Sequence, residues 1–575
     1  MKKIISIGLA ASLAFAGCST DETNVSNGTI TGESAAYMNV RIVDVAGTRA
    51  DAGGYEQGTA EEQDVLNADF FFYDGAGNFV TTGRAWHGGT SGSFENGNVE
   101  FNGDTVVALK SLTDTSLPKY VVTILNCPAA FKYGKTLDEM EKLLSNEDAT
   151  ATDGGFKNGK YFIMTTSSYV RSDDEKYFVT ALDDSNFVTD PGQIDEAKRV
   201  TIYVERLAAK VKVTFTKKEG VDGALVPVEG KDNTFAMKMT VAGAPNQSDS
   251  GTNIAAENIH IHFLGWALNA TTKKSYMIKN IKTSWTDDEL GFTFPWSEAN
   301  NHRSYWGMSY NYGKTEELNY ANADKYTAIA SPIYCAENTN TSAVVTVNPE
   351  NTITSALLFA EVTDVDGTAL DLVRYNGIYY KEAHYIAYVF NNLKRQEALN
   401  YYIATVEGDA TKYTQISDAN AELVGLSSGL VNVKLTLATD TPLYKKLADS
   451  TYELIEADAK GKTAVEQAND VLAGFNATNE ALAYKGGLMY YNIPIQHFNN
   501  NDKDAAGNIP EAKYGVVRNH VYALDVTSIK SLGMGVFDPD EEIIPDDPFN
   551  EDKLYQVGAN IKILSWKVVN QNVEL

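Results

Sequence analysis

Tyr555–Leu575 reads YQVGANIKILSWKVVNQNVEL, and its pattern decides the fold class. Val557, Ala559, Ile561 and Ile563 fall on one side of an extended chain, and Gln556, Asn560, Lys562 and Leu564 on the other. A period of two marks a half-buried β-strand. Immediately before it, Asp538–Asp547 reads DPDEEIIPDD, where Pro539, Pro545 and the following Pro548 exclude helix and disfavour regular strand. An apolar strand on an acidic, stiffened leash has to bury its face, either on its own sheet or in another molecule's.

The rest of the chain has the same character. At 575 residues it exceeds one ordinary core, so tandem domains are expected. Apolar residues make up 43% and charged residues 22%, the balance of a globular protein. The 32 Tyr, 23 Phe and 44 Gly favour short strands and turns. A net charge of −28 argues against nucleic acid as a partner, because a polyanion is repelled. The same charge suits a surface protein that must not adhere to anionic lipid.

The N-terminus reads as an export signal. Lys2 and Lys3 precede an apolar run from Ile4 to Ala16, too short for a stop-transfer span. Gly17-Cys18 follows, with small residues directly before a cysteine as in a lipobox. The expectation is a signal peptide over residues 1–17 and lipidation of Cys18. A polar tether runs to about Ser34. The chain then becomes strand-like over Ala36–Val45, where Met38, Val40 and Ile42 share one face. Ala46–Gly54 (AGTRADAGG) is small and flexible, which makes Arg49 an open substrate for an arginine-directed protease. A cut between Arg49 and Ala50 would release a complete strand together with its lipid.

Beyond Ala50 the chain reads as mainly β. Ala68–Tyr73, Tyr120–Asn126 and Tyr161–Thr166 are expected strands of a first domain, residues 50–198. Thr136–Leu144 reads as a helix with a Thr136/Glu139 capping box and Leu137, Met140 and Leu144 on one face. Arg199–Phe215 (RVTIYVERLAAKVKVTF) is a long strand-forming stretch, and the domain boundary is placed just before it. In the second domain, residues 199–537, strands are expected over 259–263, 343–347, 356–362, 384–390, 431–437, 488–495 and 520–528. Helices are expected over 444–457 and 464–475. Residues 538–575 form the linker and the last strand.

No catalytic group emerges. Gly425-Leu426-Ser427-Ser428-Gly429 matches G-x-S-x-G, but a strand follows where a nucleophile elbow needs a helix, so it reads as a loop. His260 and His262 share a strand face without a further ligand cluster to complete a metal site. Asp364-Val365-Asp366-Gly367 lacks the closing acids of a calcium loop and reads as a hairpin turn. Cys127 and Cys335, placed in different domains, read as free buried thiols. The expectation is a non-enzymatic protein without cofactor or metal.

The lipobox at Cys18, the Arg49-Ala50 site after one strand, Val204–Val213 (VERLAAKVKV) and the ending Ile563–Leu575 together resemble the Bacteroidales fimbrillins. The resemblance is strongest to the Mfa-type stalk subunit of type V pili. Gly486–Tyr491, Val516–Tyr522 and Ser528–Gly533 add to it, whereas Asn78–Ile194 carries no matching motif. It implies two transthyretin-like Greek-key β-sandwich domains in tandem, with a few short helices and a C-terminal donor strand. It implies a subunit exported to the outer membrane as a lipoprotein and then cut after Arg49 by an arginine-specific protease. Identical subunits would join head-to-tail, with tip and anchor fimbrial proteins as further partners. The donor residues would be Val557, Ala559, Ile561, Ile563, Leu564, Trp566 and Val568, filling the groove left by Met38, Val40 and Ile42. Two alternatives stand beside this reading. A monomeric glycan-binding lipoprotein would pair its C-terminal strand within its own domain, and a surface glycoside hydrolase would need two carboxylates in a cleft.

Overall fold

A computed structural model describes residues 36–44, 58–86, 105–109, 117–145, 154–167, 179–188, 200–245, 254–282, 306–314, 318–477, 480–497, 506–544, 557–565 and 568–569. Cys18, Arg49, Ala50 and Trp566 lie outside these residues. The chain is mainly β, in tandem β-sandwich units with a few short helices, as the residue pattern predicts.

The first unit contains β1 (Ala36–Asp44), helix α1 (Ala60–Gln63), β2 (Asn67–Tyr73), β3 (Phe79–Trp86), β4 (Thr105–Leu109) and β5 (Tyr120–Leu125). These are followed by α2 (Leu137–Met140), β6 (Met164–Thr166), β7 (Phe187–Val188) and β8 (Val200–Arg206). Its sheet runs β7-β1-β8-β6-β5-β2-β3 with β4 on β1, and β3 curls round to lie beside β4. β2 shows why the sheet is covered on both faces, since every residue of NADFFFY is buried. Phe70 and Phe72 enter the cluster of Met38, Leu125, Ile202 and Val204, while Phe71 and Tyr73 enter that of Val122, Ile124 and Phe162. A strand buried on both faces loses polar alternation and becomes an aromatic run.

The second unit begins at β9 (Ala208–Phe215), one residue after β8 ends. The sheet division therefore falls at Leu207, not before Arg199, because Val200–Arg206 is hydrogen-bonded into the first sheet. β10 (Thr234–Ala242), β11 (Ile254–Asn269), β12 (Ile333–Ala336), α3 (Ser342–Val347), β13 (Ser355–Thr363), β14 (Leu372–Tyr375) and β15 (Ile378–Lys381) follow. Then come α4 (Glu382–Arg395), α5 (Ala464–Gly474), β16 (Ala481–Tyr484), β17 (Leu488–Pro494), β18 (His520–Ile529), β19 (Met534–Gly535), β20 (Val557–Ser565) and β21 (Val568–Val569). One sheet runs β12-β9-β18-β20-β21 and the other β16-β14-β15-β10-β11-β13-β17-β19. Val211, Val213, Tyr522 and Leu524 of the first sheet pack on Phe235, Ile261, Leu358 and Tyr491 of the second, giving a sandwich core.

Several expected elements change type. Residues 343–347 and 384–390 lie in α3 and α4, not in strands. In α4 the buried residues Tyr385, Ile386, Val389, Phe390 and Leu393 follow a helical spacing. Residues 444–457 form a hairpin of Leu443–Lys446 and Tyr452–Leu454, turned at Ser450 with φ 68°, and not a helix. α2 stops at Met140 because Leu144 forms a β-bridge with Tyr276, and Glu139 accepts from the Lys135 N–H, not from that of Thr136. α5 lies where expected.

Leu207 carries the chain between units through a buried polar joint. The Glu62 carboxylate, itself 1% exposed, accepts from the Thr59 N–H at 2.8 Å and from the Lys210 ammonium at 2.8 Å. It also accepts from the Tyr334 hydroxyl. Arg206 Nε donates to the Glu62 carbonyl at 2.9 Å, and Lys279 meets Glu205 at 3.1 Å with both side chains fully buried. Buried charges are tolerated when paired and hydrogen-bonded in this way.

Candidate functional site: an exchangeable strand and a sheet edge

β1 sits inside its sheet. On one side Val40–Asp44 pair in parallel with Val200–Val204 of β8. On the other side Ala36–Val40 pair antiparallel with Thr105–Leu109 of β4. Tyr37 and Met38 also pair with Phe187 and Val188 of β7. Met38 is 0% exposed and belongs to the apolar cluster inside the rolled sheet. Burying that side chain contributes about 1.5–3 kcal/mol. Removing β1 would uncover the edges of β8 and β4 together and open the pocket of Met38 between them. Unpaired backbone groups on two facing edges must find new partners.

β20 lies at the opposite end of the chain. It pairs antiparallel along β18, from Val557 with Ile529 to Ser565 with His520, with an irregularity between Val526 and Ser528. Ala559, Ile561, Ile563 and Leu564 all take part in this ladder, and Val568 pairs back on Leu564 through β21. The C-terminal strand therefore closes on its own unit in the single chain, the arrangement that the glycan-binding alternative expects. The leash before it is docked at its start. Ile543 is buried beside Phe359, Tyr490 and Val536, its N–H donates to the Ala321 carbonyl at 2.8 Å, and its own carbonyl accepts from Asn269.

The two units share a rule of construction. In each, the first strand lies parallel to a strand late in the unit: β1 beside β8, and β9 beside β18. β20 stands on the far side of β18, where β6 stands on the far side of β8.

The chemistry-bearing motifs resolve into structure. Residues 426–430 of the G-x-S-x-G stretch connect strands Ala421–Gly425 and Val431–Leu435, and Gly425 abuts the Phe537 ring. His262 exchanges a hydrogen bond with Thr234 at 2.9 Å, and no group of ligands fit to hold a metal ion occurs among the described residues. Asp364 accepts from the N–H groups of Asp366 and Thr368 in a tight turn. Cys127 and Cys335 are buried thiols outside any disulfide, and burial pushes the Cys335 thiol up to about 12. Among the described residues no helix is long and apolar enough to cross a membrane. Tyr402, Tyr413, Tyr444 and Tyr452 gather on a small sheet, but Tyr413 and Tyr452 cover each other's faces at 4.1 Å and 7°. All four are half-buried, and the stack takes up one face each of Tyr413 and Tyr452.

Glu62 is the residue that pattern reading passes over. The Thr59-x-x-Glu62 spacing marks a capping box, which the structure contains, but no apolar run follows it and the segment reads as polar loop.

With this geometry in hand, the comparisons are direct. Residues 482–572 match the family described as "Major fimbrial subunit protein type IV, Fimbrillin, C-terminal". No curated protein matches the chain. Among solved structures, a fimbrilin (FimA) from Porphyromonas gingivalis is similar at 12% identity and TM-score 0.35, covering 93% of this chain and 99% of that one. The tip fimbrial protein Mfa3 from the same organism is similar at 10% identity and TM-score 0.27, covering 92% and 100%. A fimbrial assembly protein from Parabacteroides distasonis is similar at 9% and 0.23, covering 73% and 98%. TM-scores of this size do not define a shared fold. The match of residues 482–572 takes in β17 through β21, so the C-terminal region of this chain is similar to that of the fimbrillins.

Proposed function

We propose that the chain is the stalk subunit of a surface fimbria, polymerised by donor-strand exchange after cleavage between Arg49 and Ala50. The observation that carries this reading is β1 itself: a complete strand between two sheet edges, with Met38 in the core, directly upstream of Arg49. The precursor is held at the outer membrane through lipid on Cys18, and proteolysis releases the lipid and β1 together. The C-terminal strand of a neighbouring copy then fills the vacated slot by β-augmentation. Donor and slot are different surfaces, so the contact is heterologous and propagates an open filament. In the single chain β20 rests on β18 until a slot is offered. Tip and anchor fimbrial proteins complete the assembly.

A monomeric surface lipoprotein that binds glycans is the second reading, favoured by the pairing of β20 within its own unit. One experiment separates the two: N-terminal sequencing and denaturant-resistant ladder analysis of protein taken from the cell surface. The stalk reading expects an N-terminus at Ala50 and a ladder lost on deletion of residues 557–575 or on Arg49→Ala. A lipid-blocked Cys18 on a monomer indifferent to either change would overturn it.

A further inference from the structure

We propose that Val200–Phe215 is the tensile member of the subunit and that Glu62 clamps it at its midpoint. This inference rests on the strand-exchange reading for its biological use, but not for its test. β8 and β9 are one run of extended chain interrupted only at Leu207, and they belong to different sheets. The slot now holding β1 lies along β8 in parallel register, Val40 with Val200 to Asp44 with Val204. β9 lies parallel to β18, Lys210 with Val521 to Phe215 with Val526. β18 leads covalently to the C-terminal strand.

A pull between the slot and the C-terminus thus crosses one ladder, travels along β8 and β9, crosses a second ladder and leaves through β18. Parallel neighbours drawn from opposite ends are loaded in shear, so their hydrogen bonds share the force and do not open one by one. The remaining strands of both sandwiches stand beside this line.

Such a line fails if it bends at Leu207, and this is where the buried joint is concentrated. Glu205 is held by Lys279, Arg206 by the Glu62 carbonyl, Leu207 by the Ile163 carbonyl at 3.0 Å, and Lys210 by the Glu62 carboxylate. The Ala208 carbonyl accepts from the Asn519 N–H at 2.7 Å. Two features lie outside the line and yield first. β20 is antiparallel to β18 with only the two-residue β21 beyond it among the described residues, and residues 538–544 are docked through Ile543 and through single hydrogen bonds at Pro539, Asp540 and Glu541.

The test is single-molecule pulling on the full chain with handles at its two ends. Expected are small early steps, as residues 538–569 come away, followed by one main rupture. Glu62→Gln lowers the main rupture force by roughly a third, through loss of a buried charge pair. Asp470→Asn, which removes only the surface pair with Lys462, leaves it unchanged. If Glu62→Gln does not fold, the same chain pulled through handles at Asp366→Cys and Lys460→Cys, off the line, ruptures at about half the force. Rupture off the line at equal or higher force overturns the proposal, as does a folded Glu62→Gln variant with unchanged force. Every pull is on a monomer with β1 in its own slot, so absent ladders would sink the stalk reading alone.

Discussion

Met38 and Glu62 lie on either side of Arg49 and are held by opposite means. Met38 is fixed by apolar contact and Glu62 by charge and hydrogen bonds. Met38→Ala in the uncut chain leaves a cavity and is expected to lower stability by about 2–5 kcal/mol in urea denaturation. If β1 is removed by the proposed cut after Arg49, the substitution has nothing left to act on, and protein of either kind lacking β1 should melt alike. The turn aspartates add a pH dependence. Thr368, Asp366 and Gly367 donate backbone N–H bonds to Asp364, holding its carboxyl below the usual 3.8. Asp183 and Asp449 are lowered similarly by Ser185 and Thr451. A depressed carboxyl stabilises the fold above its ordinary value and loses that contribution as pH falls through the folded one. The melting temperature should therefore fall on acidification below about pH 4, with Asp364→Asn losing less over that interval because the amide keeps its acceptor. An unchanged slope in Asp364→Asn would remove Asp364 from the cause.

At the scale of elements, what the sequence allows one to read depends on how each strand is buried. β13, β17 and β18 are legible because their apolar runs sit where the structure has strands. α4 is misread because HYIAYVF is rich in β-branched and aromatic residues, and only its contact with the core shows the helical spacing. Leu443–Leu454 is misread in the opposite sense, since its turn is formed by Ser450 at positive φ, without a glycine or proline to announce it. The division at Leu207 is not legible at all, because a strand that passes from one sheet to another keeps one pattern throughout. β20 gives the element-scale prediction. Deleting residues 557–569 uncovers the free edge of β18, and amide exchange over His520–Ile529 should quicken while β9 stays protected by its place inside the sheet. Unchanged exchange in β18 would mean that β20 does not cover it.

Across the whole molecule, the strand before Arg49 and the strand at the C-terminus each stand out locally in the sequence. The polar joint does not, because Glu62, Lys210, Lys279 and Tyr334 come from distant parts of the chain. The same separation has a kinetic consequence. Val40 pairs with Val200, and Lys210 with Val521, so neither sandwich can pair its first strand until most of that unit is available. Loop closure over such spans makes folding slow. A chain delivered from its N-terminus therefore stays open for most of its passage, and the unit that completes last is the one bearing the C-terminal strand.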